Sequence, residues 1–210
     1  MTELDSIETV VEAAVQKLGG LDIIVLNHVF YLPLNFWTGS KQNLSSINQV
    51  MTVNFESYIH LASYALPHLD KSNGSITIVN SICGKVASAL TASYSAAKFA
   101  LDGFFNALRQ ELMTYNSGIS ITQCVLGYIS TENSVNLLSS AGFENVDSYM
   151  IPPAPSEAAE DVLRSTVRRA RQVYFPRYYG MFGMLRDWIP ESIDRLYIYM
   201  YKLTSGTLKQ

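Results

Sequence analysis

Leu21-Asp-Ile-Ile-Val-Leu-Asn27 is a short run with apolar side chains on both faces of an extended chain. A half-wet antiparallel strand alternates apolar and polar residues; a parallel strand covered on both sides does not. This run therefore reads as a buried parallel strand with helices on each side. Ser75-Ile-Thr-Ile-Val-Asn-Ser81 and Ile119-Ser-Ile-Thr-Gln-Cys-Val-Leu126 repeat the pattern, and Gln172-Val-Tyr-Phe-Pro176 is a shorter fourth strand. Helical periods lie between them. Ile7, Val10, Val11, Ala14, Val15 and Leu18 form one stripe, with Thr2 or Asp5 to cap its start and Gly19-Gly20 to end it. Residues 45–68 and 94–115 are longer amphipathic helices, and Ser156 caps another through Arg169 after Pro152, Pro153 and Pro155. Residues 35–43 read as a loop, residues 71–74 as a turn, and residues 130–150, which show no clear period, as a mobile lid. Strands alternating with helices predict an α/β fold, a doubly wound parallel sheet.

Composition narrows the function. The 210 residues are 48% hydrophobic and only 16% charged, which calls for a large interior or apolar interfaces and excludes disorder. A net charge of −3 offers no basic field, so a nucleic-acid partner is not expected. Cys83 and Cys124 make no disulfide framework, and with His28, His60 and His68 they show no metal-ligand spacing, so no metal is expected. No apolar stretch reaches the roughly 18 residues of a membrane span. The acidic opening, MTELDSIE, is unlike a signal peptide. Asn43-Leu-Ser and Asn73-Gly-Ser are glycosylation sequons that matter only in a secretory lumen.

In an open parallel sheet, ligands bind beyond the carboxyl ends of the strands. The polar residues there are Asn27-His28, Asn80-Ser81 and the stretch from Gly127 to Thr131. Tyr94 and Lys98 stand four apart at the start of a helix and share a face. An ammonium near a phenol favours the phenolate and lowers its pKa from about 10, so such a phenol can exchange protons near neutrality. Ser81, at the end of the neighbouring strand, can hydrogen-bond a carbonyl or alkoxide oxygen meanwhile. Tyr and Lys at this spacing are also common surface neighbours.

Four features in order carry more weight: Leu26-Asn27-His28 after a strand, Asn54 within Val53-Asn54-Phe55, Ser81 thirteen residues before Tyr94, and Tyr94-Ser-Ala-Ala-Lys98. With these the sequence resembles the short-chain dehydrogenase/reductase family. The strings Leu26-Asn-His28, Asn73-Gly-Ser-Ile76, Tyr94 through Phe105 and Cys124-Val-Leu-Gly127 are similar to its 11β-hydroxysteroid dehydrogenase branch, type 1 and 1-like. The resemblance implies a Rossmann-like sheet. It also implies hydride transfer between NADP(H), or else NAD, and a steroid-like secondary alcohol or ketone. By the same resemblance Tyr94 gives or takes the proton, Lys98 holds the nicotinamide ribose and lowers the Tyr94 pKa, and Ser81 orients the substrate oxygen. Ser81 and Tyr94 are thus the substrate-binding pair. Asn54 is expected to kink its helix and hold a water of the proton relay. Asn27, His28 and Val29 line the cofactor cleft, and Ile129, Ser130 and Thr131 follow the third strand where the family contacts carboxamide and phosphates. A dimer and an endoplasmic reticulum membrane or lumen setting are implied as well. Plainer roles stand beside these. Asn27 and Asn54 can bond local backbone, His28 can be structural, Cys83 and Cys124 can be small buried hydrophobes, and Ser130, Glu132 and Asn133 can open a helix.

None of the 12 glycines forms a TGxxxGxG or GxGxxG loop after a strand. The family carries that loop in its first βα unit, where it binds the pyrophosphate. The reading is therefore an N-terminally truncated domain with the first three strands absent. Residues 1–176 would be the incomplete Rossmann-like domain and residues 177–210 an aromatic-rich helical tail. In the family's strand order the first strand lies beside the fourth, here Leu21–Asn27, so that edge is expected to be unpaired. A non-catalytic fragment or isoform that acts, if at all, by pairing with another subunit is the competing reading. Ser88 and Tyr128 depart from the branch near the substrate, and Gly127 departs from the Pro usual elsewhere in the superfamily; these weaken a corticosteroid assignment without touching the chemistry. Met181, Phe182, Met184, Leu185, Trp188, Ile189, Leu196, Tyr197, Ile198, Met200 and Tyr201 make an apolar tail. It can cover the substrate mouth, meet a dimer partner, lie on a membrane surface or pack on the core. A domain truncated in this way is expected to be poorly soluble or to bind no NADP(H) on its own; micromolar NADPH binding by the purified 210-residue protein, read as a saturable change in NADPH fluorescence, would refute the truncated reading.

Overall fold

The computed structural model describes residues 4–143 and 151–204. Four parallel strands form one sheet in the order β1 (Ile23–Leu26), β2 (Ser75–Ser81), β3 (Ser120–Leu126) and β4 (Gln172–Phe175). Helix α1 (Ile7–Leu18) precedes β1. Helices α2 (Lys41–Met51) and α3 (Ser57–Ser72) join β1 to β2, and α4 (Ala92–Thr114) joins β2 to β3. After β3 come α5 (Glu132–Ser140) and α6 (Pro155–Val167), and after β4 come α7 (Tyr179–Trp188) and α8 (Pro190–Thr204). The alternation of strand and helix expected of the sequence is present, and with it the Rossmann-like parallel sheet.

The main core lies on one face of the sheet. Ile7 and Val11 of α1, Tyr58, Leu61, Ala62, Ala65 and Leu69 of α3, and Leu101 and Phe105 of α4 pack on Leu26, Ile76, Ile78 and Ile121. The stripes that mark these helices in the sequence are the faces they bury. On the other face α6 packs against β2, β3 and β4, and Thr77 bonds Thr166 between hydroxyl oxygens at 2.8 Å.

Several expectations are corrected. Strand β1 is covered on one face only. Ile23 and Val25 remain 45% and 40% exposed, because α6 lies over the strands beyond β1. Among the described residues β1 is an edge strand. The helix expected over 45–68 runs from Lys41 to Ser72 and is interrupted by a π turn at Thr52–Glu56. Ser40 starts it, its hydroxyl accepting from Asn43 N at 3.2 Å. The aperiodic stretch 130–150 contains α5, which buries no side chain and so leaves no apolar period to read; residues 144–150 lie outside the described residues. Helix α6 starts at Pro155, with Ala154 N donating to Glu157 Oε2 at 3.0 Å, so Ser156 is inside the helix.

Core packing claims part of the tail. Tyr179 and Ile193 are buried with Ile82, Val86 and Val125 in a second cluster beside the carboxyl ends of β2 and β3. The Tyr179 ring lies so close to Gly127 that a Cβ there would sit 1.9 Å from it. Trp188 stays 85% exposed, as do Met181 and Met184 in large part. No helix among the described residues is long and apolar enough to cross a membrane.

Gly127→Ala should lower thermal stability by about 1–3 kcal/mol, the usual cost of overpacking, or roughly 2–10 °C at this chain length. Gly103→Ala in α4, where a new Cβ meets nothing within 4 Å, should be neutral or stabilising. Thermal melts of the two variants check the pair.

Candidate active site

Because all four strands run the same way, their carboxyl ends share one edge of the sheet. Ser81 closes β2 there and a single 3₁₀ turn, Ile82–Gly84, follows it. The Ser81 hydroxyl oxygen accepts from Cys83 N at 3.1 Å, and Ser81 N donates to Asn80 Oδ1 at 2.8 Å. The buried Asn80 amide in turn donates to the Lys98 carbonyl at 3.2 Å. One side chain therefore ties the end of β2 to α4. Gly84 permits the approach: a Cβ at that position would lie 2.7 Å from the Lys98 carbonyl oxygen.

Tyr94 and Lys98 occupy successive turns of α4, as their spacing predicts. The Ser81 side chain lies near enough to the Tyr94 phenol to oppose the rise in its pKa. Lys98 is 2% exposed; its Nζ donates to Val79 O at 3.2 Å and lies 5.8 Å from the centre of the Tyr94 ring. Tyr94 itself is only half-buried. The phenol, amine and serine hydroxyl thus meet at one place, within reach of solvent.

Their electrostatics differ from the expectation. Burial, followed by the nearness of Cys83 and Tyr31, pushes the Tyr94 phenol well above its ordinary value, while the nearby Ser81 side chain works against the rise. The phenol is therefore protonated at neutral pH, the form that can give a proton. Burial also lowers Lys98 to about 8, so the amine can change charge close to neutrality.

Asn54 sits inside the π turn, the kink expected of its helix, and π turns of this kind are frequent at functional sites. Its Oδ1 accepts from Phe30 N at 2.7 Å and its Nδ2 donates to Phe30 O at 2.8 Å. The side chain thereby pins the loop after β1, the plainer role considered for it. His28 belongs to the same junction. Its Nε2 lies 2.5 Å from Ser57 Oγ, whose one proton goes to Val53 O at 2.7 Å, so the imidazole is the donor. Burial first and the Lys98 charge second hold His28 at about 4, and it is neutral.

Other candidates share the edge without converging on Tyr94. Asn27 and Val29 are exposed, Ile129 is buried and Ser130 half-buried. Thr131 caps α5, accepting from Ser134 N at 3.2 Å and donating to Ser134 Oγ at 2.9 Å. Ser88 bonds Thr91 and Cys83; Cys83 is half-buried, packed against the second apolar cluster while meeting this hydroxyl, and Cys124 is fully buried.

Sequence reasoning missed Tyr31, Ser57, Tyr58 and Cys83. The Tyr31 ring lies 5.8 Å from that of Tyr94. Tyr58 donates to His28 O at 2.6 Å and its ring centre is 5.2 Å from Lys98 Nζ. Ser57 and Tyr58 fall three and four residues after Asn54, on its helix face, a signal that was available. Cys83 follows Ser81 by two. Tyr31, in an aperiodic loop, carries none.

Residues 1–141 match the family model of the short chain dehydrogenases. The chain belongs to the short-chain dehydrogenase family. Among curated short-chain dehydrogenase relatives, it is 39% identical over 199 residues to the hydroxysteroid 11-beta-dehydrogenase 1-like protein of Xenopus tropicalis, covering 94% of this chain and 66% of that protein. The Gallus gallus protein of that name is 39% identical, with 91% and 64% covered. The Bos taurus one is 40% identical, with 88% and 61% covered. The chain thus spans somewhat under two thirds of the length of these relatives. Short-chain dehydrogenases are oxidoreductases that use NAD(P)(H), and the Ser81–Tyr94–Lys98 arrangement lies within the stretch that identifies this one.

The folded His28 pKa of about 4 lies below the unfolded value of 6.5. The unfolded chain then binds more protons in that window, so stability is retained above 6.5 and declines as pH falls toward 4. His28→Gln keeps an N–H donor but does not titrate. Denaturant melts from pH 7 to 4 should show the natural protein losing more stability than His28→Gln; equal losses would contradict a buried neutral imidazole.

Proposed function

We propose that the chain interconverts a secondary alcohol and a ketone of steroid-like shape, with NADP(H) as the hydride partner. The observation that carries the reading is the meeting of Tyr94 with the buried Lys98, 5.8 Å from its ring centre, beside Ser81 at the carboxyl edge of the sheet. In the reducing direction, the protonated Tyr94 phenol gives its proton to the carbonyl oxygen while the Ser81 hydroxyl orients that oxygen; oxidation reverses the transfer. Lys98, poised near pH 8, exchanges protons with its surroundings and restores the pair.

The donor set fits the nicotinamide-ribose end of the cofactor. No carboxylate of the described residues pairs with Lys98, so a ribose hydroxyl can accept its free N–H groups. Tyr94 would take the same ribose. When bound, the nicotinamide supplies or accepts the hydride, and the chain's residues place the substrate and move the proton. These 210 residues contain no glycine-rich loop to take the pyrophosphate. The steroid-like substrate rests on the names of the relatives, and the endoplasmic reticulum location and a dimer rest on the family resemblance.

A second reading is that the chain acts by pairing with another subunit and does not turn over substrate. The open edge strand β1, with Ile23 and Val25 exposed, supports it. The test is ketosteroid reduction with NADPH over a panel of keto positions. Tyr94→Phe should cut turnover at least about 100-fold, the usual worth of a positioned acid. Turnover unchanged in Tyr94→Phe would overturn the assignment, and no turnover by the natural chain with any member would favour the second reading.

A further inference from the structure

Lys98 is an ammonium buried to 2% exposure, and no carboxylate among the described residues pairs with it. Buried charges ordinarily have an ionic partner. The groups that face it are Tyr58 of α3, Tyr94 of its own helix, Cys83 after β2 and His28 after β1. None is an acid ionised at neutral pH, and His28 is neutral, so no second cation competes. What remains is one hydrogen bond to Val79 O at 3.2 Å and two aromatic faces, at 5.2 Å for Tyr58 and 5.8 Å for Tyr94. Both distances lie within cation–π range, about 6 Å.

The two rings are not equivalent. Tyr94 is half-buried and carries the proton chemistry. Tyr58 is 0% exposed and held from both ends: its hydroxyl donates to His28 O at 2.6 Å, and its ring packs on the His28 ring at 4.3 Å. It lies two residues beyond the π turn, where Asn54 and Ser57 hold the loop after β1 through Phe30 and His28. We propose that Tyr58 is the positioning residue for Lys98, its ring face holding the ammonium where a carboxylate would otherwise be required. That Lys98 then meets a cofactor ribose rests on the reading given above; the holding of its charge does not.

The experiment titrates Lys98 in the 210-residue protein by NMR of ¹³C-labelled lysine, with the signal assigned by its loss in Lys98→Arg. Two near-isosteric variants separate the ring from the hydroxyl. Tyr58→Phe keeps the electron-rich face and should leave the Lys98 pKa within a few tenths of the natural value. Tyr58→3,4,5-trifluorophenylalanine keeps the shape, weakens the face, and should lower the pKa by about one unit, a tenfold shift, relative to Tyr58→Phe. Identical titrations in the two variants would overturn the proposal. So would a fall in Tyr58→Phe as large as in the fluorinated variant, which would place the holding in the hydroxyl bond. A steroid-reductase assignment that failed would appear as absent turnover and leave these titrations unchanged.

Discussion

The end of β2 lies against the backbone of α4 at a distance that only glycine allows, with Gly84 on the Lys98 carbonyl and Asn80 bonded to that same oxygen. The arrangement of the site depends on this contact. Ser81 sits between Asn80 and the 3₁₀ turn, so its hydroxyl reaches the phenol on the helix only while strand and helix touch. A second set of bonds supports the contact from below. Lys85, next after Gly84, forms a 2.6 Å ion pair with Asp102 of α4, and Asp102 accepts from Asn106 at 3.1 Å. Arg109, one turn on, donates to the carbonyls of Ile121 and Arg171 at 2.9 and 3.2 Å. Helix α4 is thereby keyed to three strands by polar contacts as well as by Leu101 and Phe105.

Burial governs the chemistry that the contact assembles. Removing water from Tyr94 and Lys98 favours the neutral form of both, raising one pKa and lowering the other. Their values, close together in water, move apart, so the proton stays on the phenol and the amine is the group that changes charge near neutrality. The same desolvation neutralises His28 and leaves its N–H to fix the loop after β1. Electrostatics and packing are thus joined at the π turn: Asn54 and Ser57 bind the loop, and Tyr58 lies under the ammonium.

Away from the site the molecule is less enclosed. Tyr179 and Ile193 fasten the tail helices to the ends of β2 and β3, but one side of α7 keeps Met181, Met184 and Trp188 in solvent. Strand β1 likewise shows Ile23 and Val25 on the face that α6 does not reach. The matched residues cover 66% and 64% of two short-chain dehydrogenase relatives, and the open strand is one edge of the described sheet.

The parallel sheet, its four strands and the limits of α1 and α4 could be read from Leu21–Asn27, Ser75–Ser81, Ile119–Leu126 and the stripes between them. Apolar periodicity is a local property, and burial enforces it residue by residue. Tyr94 and Lys98 were legible for the same reason, since helix geometry alone puts them on one face, and Ser81 was legible as the end of a strand. The cover on β1, the extent of α5 beyond the start that Glu132 and Asn133 suggested, and the start of α6 at Pro155 were not, because each depends on what packs above or on which backbone N–H finds a partner. The tertiary structure alone decided that Tyr58 and Tyr31 flank the reactive groups, that Asn54 spends its amide on Phe30, and that the phenol is held protonated. Those facts arise from contacts between segments 24 or more residues apart in the chain and from the water they exclude. No local pattern of residues records either.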